Sequence, residues 1–298
     1  DQKNYSLSQT LSYVRKVGRD HNIGFYLRHQ YQKDTPEYTI HSSSNPFSSF
    51  PMFQNINQVN EQYNLNQNQN FTFNTLQFYT IFNYLITNTA NLKFKAGSNF
   101  STQDFDNKIY DHQTLMNEDK LISNTDFDYN ETFADVTLTK KIGNFQADLG
   151  AGISYFNEQT TFYDQTKNKR DETKFLPHAN LQYKFNNATS IRANYKQDYC
   201  SPYTKDFNDS YSIQNYQSIF YGNRDLRKAL THNASLNFQH FNSFSFLHIF
   251  VGLNYSEREN SIQTHSILNR NYIKDVNGTI VGMNPPYQFN TLINSNNN

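Results

Sequence analysis

The sequence is short of charge, of cysteine and of long apolar runs, and each shortage removes a class of protein. Charged residues make up only 17% of the 298, and 26 basic residues balance 26 acidic ones. With no net field, neither nucleic acid nor an anionic membrane surface is a natural partner. The single cysteine, Cys200, has no mate for an internal disulfide, which removes the disulfide-stapled secreted scaffolds; a buried, inert thiol is expected there. No run of about eighteen apolar residues occurs, the most hydrophobic stretch being Phe244 to Leu253, so a transmembrane helix is excluded and a membrane wall of strands is not. Nucleotide-binding loops, nucleophile elbows and metalloprotease helices are missing, and the nine histidines are scattered. No enzyme and no cofactor is expected.

What the chain does have is aromatic and amide side chains. It carries 26 Phe and 22 Tyr, and its polarity comes from uncharged Asn, Gln, Ser and Thr. That mixture fits neither a soluble globule nor a disordered chain. Helical periodicity is poor, whereas alternation with a period of two recurs. Phe145, Ala147, Leu149, Ala151, Ile153 and Tyr155 alternate with Asn144, Gln146, Asp148, Gly150, Gly152 and Ser154. Leu181, Tyr183 and Phe185 repeat the pattern, as do Ile191, Ala193 and Tyr195, then Ala234, Leu236 and Phe238, then Leu247 through Tyr255. Each reads as a strand with one apolar face, about 9 to 13 residues long and therefore sufficient to cross a bilayer.

Short and long connections alternate between these strands. Short turns are read at Lys16 to Asn22, Thr87 to Asn91, Lys140 to Asn144, Asn186 to Thr189, and Asn242 with Ser243. Long polar segments are read at Lys33 to Asn70, Gln103 to Asn130, Asn157 to Lys174, Cys200 to Leu230 and Glu257 to Pro285. This layout matches an all-β, antiparallel, up-and-down transmembrane barrel, with short periplasmic turns and long extracellular loops. About eleven strands are counted, from Tyr5 to Arg15 at one edge to a partial strand near Gln288 to Asn294. Tyr13, Phe25, Phe78, Tyr84, Phe100, Phe156, Phe175 and Phe185 are candidates for the interfacial aromatic girdles. The first residue is Asp1, no apolar signal segment precedes the strands, and the last residues are Asn296 to Asn298, so the chain reads as processed or truncated. An odd strand count points the same way, toward an open half of a barrel of up to about twenty-two strands.

The segment Phe175 to Phe241 resembles TonB-dependent-receptor-like barrels, especially the outer membrane protein beta-barrel family common in Bacteroidetes. The resemblance is carried by F-L-P-H-A-N-L-Q-Y-K-F at Phe175 to Phe185, I-R-A-N-Y-K-Q-D-Y-C-S-P at Ile191 to Pro202, and Y-G-N-R-D-L at Tyr221 to Leu226. In that family a loop opens with Ser-Pro and closes with Gly-Asn-x-x-Leu before the next strand, here Ser201, Pro202, Gly222, Asn223, Asp225 and Leu226. Both Gly222 and Asn223 tolerate positive φ and suit a tight reversal. The resemblance implies a Gram-negative outer-membrane location, a plug and N-terminal segments outside residues 1–298, contact with the TonB machinery through those regions, and uptake of a scarce solute.

Solute binding is expected at the loop rim, where Tyr199, Tyr203, Asp206, Tyr211, Tyr216 and Tyr221 share one long connection. Rings stack on apolar faces and amides satisfy hydroxyl or carbonyl groups, a chemistry suited to a sugar, a peptide or a chelate. A loop packed on its own tyrosines fits the same residues equally well. No metal site is expected: Asp126, Asp128 and Asn130 copy the start of a calcium loop without its later Gly and Glu. Two other functions remain open, a soluble secreted β-rich binding protein or adhesin, and a passive porin or barrel scaffold.

Overall fold

The computed structural model describes residues 2–295 apart from 19, 46, 49, 119, 243, 270, 271, 275–279 and 284–286. Of the sequence readings, Ser243 in one short turn, residues 270, 271, 275–279, 284 and 285 of the last long connection and the terminal Asn296 to Asn298 lie outside the described residues, and the described part of that connection is largely strand, including Ser261–Asn269. In chain order the strands are β1 (Gln2–Val17), β2 (His21–Ser42), β3 (Tyr63–Thr87), β4 (Ala90–Asp111), β5 (Thr114–Leu115), β6 (Ile122–Ile142), β7 (Phe145–Thr161), β8 (Lys167–Lys184) and β9 (Thr189–Cys200). They continue with β10 (Tyr211–Asn215), β11 (Ser218–Tyr221), β12 (Ala229–Asn242), β13 (Leu247–Glu259), β14 (Ser261–Asn269), β15 (Tyr272–Lys274), β16 (Ile280–Met283) and β17 (Tyr287–Ser295). A one-turn helix, α1 (Thr204–Phe207), lies between β9 and β10.

Eleven strands form one sheet in the order β1-β2-β3-β4-β6-β7-β8-β9-β12-β13, with the two-residue β5 attached to β4. Every pair in it is antiparallel and every neighbour on the main path is the next long strand. Such a meander necessarily sends successive connections to opposite ends, as the short and long segments require. The hairpin β6–β7 is closed by Gly143, whose φ of +57° is the left-handed region that a side chain resists.

Register fixes the two faces. Leu138 pairs with Leu149, which pairs with Ala179, while Asp135 pairs with Gly152, which pairs with Leu176. Leu149 and Ile153 are 51% and 52% exposed, whereas Ser154, the next residue after Ile153, is only 4% exposed. Asp148 and Ser154 line a common cleft on the opposite face. The exposed face gathers Leu27, Phe78, Phe94, Val136, Phe175 and Leu253 with many like them. Two small clusters of buried apolar residues instead lie against the other, inner face, at the end of the long connections.

Several expectations are corrected. The ten strands on the main path of the large sheet run 12 to 25 residues, longer than their apolar alternation, because the ladder continues after the outer side chains turn polar. The segment Asn157 to Lys174 is therefore a hairpin with a short turn at 162–166, and not a long loop. The expected final strand at Gln288 to Asn294 exists as β17, but it pairs β14 and β11 in a separate four-stranded sheet. Among the described residues it does not pair with β1, whose pairing is with β2 alone, and β13 is the other edge of the large sheet. Of the girdle candidates, Phe156 faces inward at 2% exposure, since even positions of β7 belong to the inner face; the other seven are exposed. Cys200 is exposed, at the point where β9 leaves the wall. Asp126, Asp128 and Asn130 are extended within β6, which precludes a calcium loop there.

Two outcomes check the faces. The chain has no tryptophan, so Phe78→Trp and Gln77→Trp report without background. Brominated lipid is expected to quench the emission at 78 and leave that at 77, and equal quenching would contradict the orientation. Leu149→Arg is expected to cost about 2 to 4 kcal/mol in chemical unfolding from vesicles, and Gln146→Arg far less.

Candidate functional site

The inner face is polar by composition and folded by amides. Gln67 on β3 donates through Nε2 to the Ile213 carbonyl at 3.0 Å and accepts the Ile213 N–H at 2.6 Å, so one buried side chain replaces a strand neighbour for β10. Asn107 on β4 donates to the Tyr211 carbonyl at 3.0 Å, and Thr204 donates to Gln103 at 2.9 Å. Asp111 accepts from both nitrogens of Asn57 at 2.8 and 2.7 Å. A buried amide left without partners costs about 1 to 3 kcal/mol, so these groups hold the long connections to the wall.

Apolar residues complete the attachment. The connection 43–62 is not merely polar: Phe47, Phe50, Phe53 and Ile56 bury themselves with Ile40, Leu65 and Ile109 of the wall and with Ile213 and Ile219 of the small sheet. A second cluster joins Phe127 of β6 and Phe162 of the β7–β8 turn to Phe207 of α1 and Leu226. The long connections therefore form a packed layer inside the end of the wall that carries them.

The element Gly222 to Leu226 locks this layer. Gly222 does not take positive φ, contrary to the turn reading. A Cβ there would run into the Asn208 and Asp206 carbonyl oxygens, so the position needs glycine for close backbone approach. Asn223 donates its N–H to the Asp206 carbonyl and its Nδ2 to the Leu292 carbonyl, both at 2.9 Å, while its Oδ1 accepts the Asp225 N–H. Arg224 pairs with Asp209 and with Asp164 at 3.0 Å and lies 4.2 Å over the Phe162 ring. Hydrogen bonds from Thr166 and then the Arg224 guanidinium hold the Asp164 carboxyl down to about 2. Leu226 is fully buried, and Arg170 of β8 donates to its carbonyl. At the start of the same connection Pro202 is buried and Ser201 donates to Glu158 at 3.0 Å.

The six rim candidates separate into different places. Tyr199 and Tyr203 line an inner cleft of about 360 Å³ with Arg28, Gln30, Phe127 and Tyr129. Asp206 accepts the Tyr203 N–H at 2.9 Å to cap α1, and burial pushes its carboxyl pKa up. Tyr211 and Tyr221 pack ring to ring, 5.0 Å between centroids, and burial raises both phenols. Tyr216 is exposed at the tip of the β10–β11 hairpin.

Below this layer the inner face opens into a cleft of about 750 Å³ that sequence reasoning did not single out. Its groups carry both signs. Lys95 stands 4.5 Å over the Tyr79 ring and 4.9 Å from that of Phe133. His178 lies against Gly150, 3.1 Å from Thr137 Oγ1 and 3.5 Å from Asp135 Oδ2, and Asn180 donates to Asp148 at 2.8 Å. Between the two clefts Lys228 is buried among Tyr129, Phe156, Tyr199 and Glu158. The signal for these residues was present in the polar positions of the alternation, but parity alone does not say which of them converge. Among the described residues no group of three or more His, Cys, Asp or Glu is placed to hold a metal ion.

Leu226→Ala is expected to destabilise the layer by about 2 to 5 kcal/mol, and Gly222→Ala to prise it from the wall. Limited proteolysis checks both: cleavage within 201–228 is expected to accelerate in each variant and to stay unchanged in Tyr216→Ala.

No curated protein matches the sequence. Among solved structures the chain is similar to the ferric yersiniabactin uptake receptor FyuA of Yersinia pestis, with a TM-score of 0.56 and 11% identity over 87% of this chain and 37% of that one. The ferric-catecholate import receptor Fiu of E. coli K12 gives 0.55 and 11% over 94% and 43%. The ferric citrate transporter FecA gives 0.51 and 11% over 95% and 37%. The chain spans less than half the length of these receptors, and at such identity the likeness speaks for the fold alone. The outer membrane protein beta-barrel family matches residues 37–297. With an exposed apolar face outside and its polar groups within, this chain belongs to that family, as part of a barrel wall in a Gram-negative outer membrane.

Proposed function

We propose that the chain is part of a TonB-dependent-receptor-like uptake barrel of the kind found in Bacteroidetes, and that it handles a small polar solute through its inner face. The observation that carries this reading is the packed layer at the extracellular end, where buried amides and two apolar clusters fold the long connections inward. A passive porin needs a standing aqueous path, whereas this layer lies across the inner wall where that path would run. The clefts beneath it combine aromatic faces, amides and both charges, a lining suited to a sugar, a peptide or a chelate. The solved neighbours are receptors or transporters for ferric yersiniabactin, ferric citrate and ferric catecholates. This reading involves no catalysis.

The soluble alternative requires a second sheet over the apolar face, and the small sheet packs on the inner face instead. The open edges at β1 and β13 bear on the rest of the wall. Each unpaired backbone group at membrane depth costs several kcal/mol, so we propose that further strands of the whole protein continue both edges, and that a plug fills the lumen. The whole protein in planar bilayers, with potassium chloride as the probe, is expected to give no steady conductance. A stable open channel would favour the porin instead, and solute uptake that survives an uncoupler of the membrane potential would remove the TonB dependence.

A further inference from the structure

Lys228 ends the long connection before β12, and its ammonium is held in an unusual way. The side chain is 4% exposed, and Nζ lies 3.8 Å from the Phe156 ring centroid, 4.6 Å from that of Tyr129 and 5.2 Å from that of Tyr199. Its close oxygen is Glu158 Oε1 at 2.8 Å, an ion pair, and the Ser201 hydroxyl donates to the same carboxylate oxygen at 3.0 Å. Burial lowers the lysine pKa, against the pull of Glu158, Glu131 and Glu172. An ammonium normally claims three acceptors, and here one carboxylate and three aromatic faces surround it. Several ring faces beside a carboxylate are surroundings that also suit an alkylated ammonium, which binds through its charge and not through protons.

The three rings stand on wall strands and not on the connection that fills the cage. Tyr129 and Phe156 sit on adjacent wall strands, where Tyr129 pairs with Glu158 and Phe156 with Glu131. Tyr199 closes the third side, 5.1 Å from Phe156, and is anchored by its bond to Glu172. Only Lys228 belongs to a connection. Tyr129 and Tyr199 also line one inner cleft, and Phe156, Glu158 and Tyr199 line another of about 640 Å³, so a solute reaches the rings from either side.

We propose that Tyr129, Phe156, Tyr199 and Glu158 form a binding site for a quaternary ammonium group, occupied in this structure by the chain's own Lys228 as a tethered stand-in. The inference rests on the geometry of these four side chains and deepens the uptake reading by naming a solute class. A cationic solute entering the cage displaces Lys228 and so loosens the end of the 201–228 connection.

The test uses choline and its neutral isostere 3,3-dimethyl-1-butanol with the whole protein in detergent. Lys228→Met keeps the aliphatic stem and removes the competing charge. Calorimetry on this variant is expected to give choline binding roughly tenfold tighter than to the wild type and to exceed binding of the isostere by about the same factor. Glu158→Gln and Tyr199→Ala, each combined with Lys228→Met, are expected to abolish that gain. Equal binding of choline and the isostere, or no gain over the wild type, would overturn the site. Should Lys228→Met fail to fold, saturation transfer from the wild-type protein to the choline methyl protons, lost in Tyr199→Ala, supports the cage, and its absence in the wild type counts against it. Neither outcome depends on conductance or uptake, so the cage and the transport reading fail separately.

Discussion

Hydrocarbon offers no hydrogen-bond partner, and that single constraint organises this chain. Every backbone N–H and C=O at membrane depth must be spent within the ladder, which forces long, unbroken antiparallel strands joined in order. The side chains are then free to divide by parity, apolar toward lipid and polar toward the interior. The pairing of Leu138 with Leu149 on one face and of Asp135 with Gly152 on the other is the local form of that rule. It inverts the soluble arrangement, since the apolar residues of the middle of the wall are its exposed ones.

Among the described residues, the buried apolar clusters consequently lie toward the long connections and not at mid-height. Cohesion there comes from the ladder and from side-chain contacts such as Lys95 over Tyr79 and Asn180 with Asp148. Apolar burial returns only where the strands rise past the lipid, in clusters built from Phe47, Phe50, Phe53, Phe127, Phe207 and Leu226. The high content of amides follows from the same geometry. A connection folded inward presents its backbone to the wall, and Gln67 or Asn107 satisfies that backbone where no further strand exists.

The fold was legible because alternation is a direct reading of two solvents. Residues 145–155 revealed both faces of β7. Strand ends were not legible, since the ladder outlasts the apolar pattern: β3 extends to Tyr63 although its upper outer positions are polar. Phe156 was misplaced for a related reason. Near the strand end the inner face becomes aromatic, so residue type stops reporting on parity. The hairpin β10–β11 was concealed inside a segment read as loop, although Ile213 and Ile219 stand symmetrically about Tyr216. The reason for Gly222 was also hidden, because sequence shows that a position takes glycine and not whether φ or proximity demands it.

The two ends of the wall therefore differ in kind. At the short turns the structure is local, and residues such as Gly143 settle it within a few positions. At the other end residues 50, 109, 213 and 289 must meet for one cluster to exist, so its order depends on contacts far apart in the chain. Closing such contacts carries a larger entropic cost than closing a hairpin, and regions held that way open more readily than the ladder beneath them. The cage around Lys228 lies at this boundary, with its rings on wall strands and its occupant on the last residue before β12. A group that replaces Lys228 acts on the least local part of the fold while leaving the membrane-spanning ladder intact.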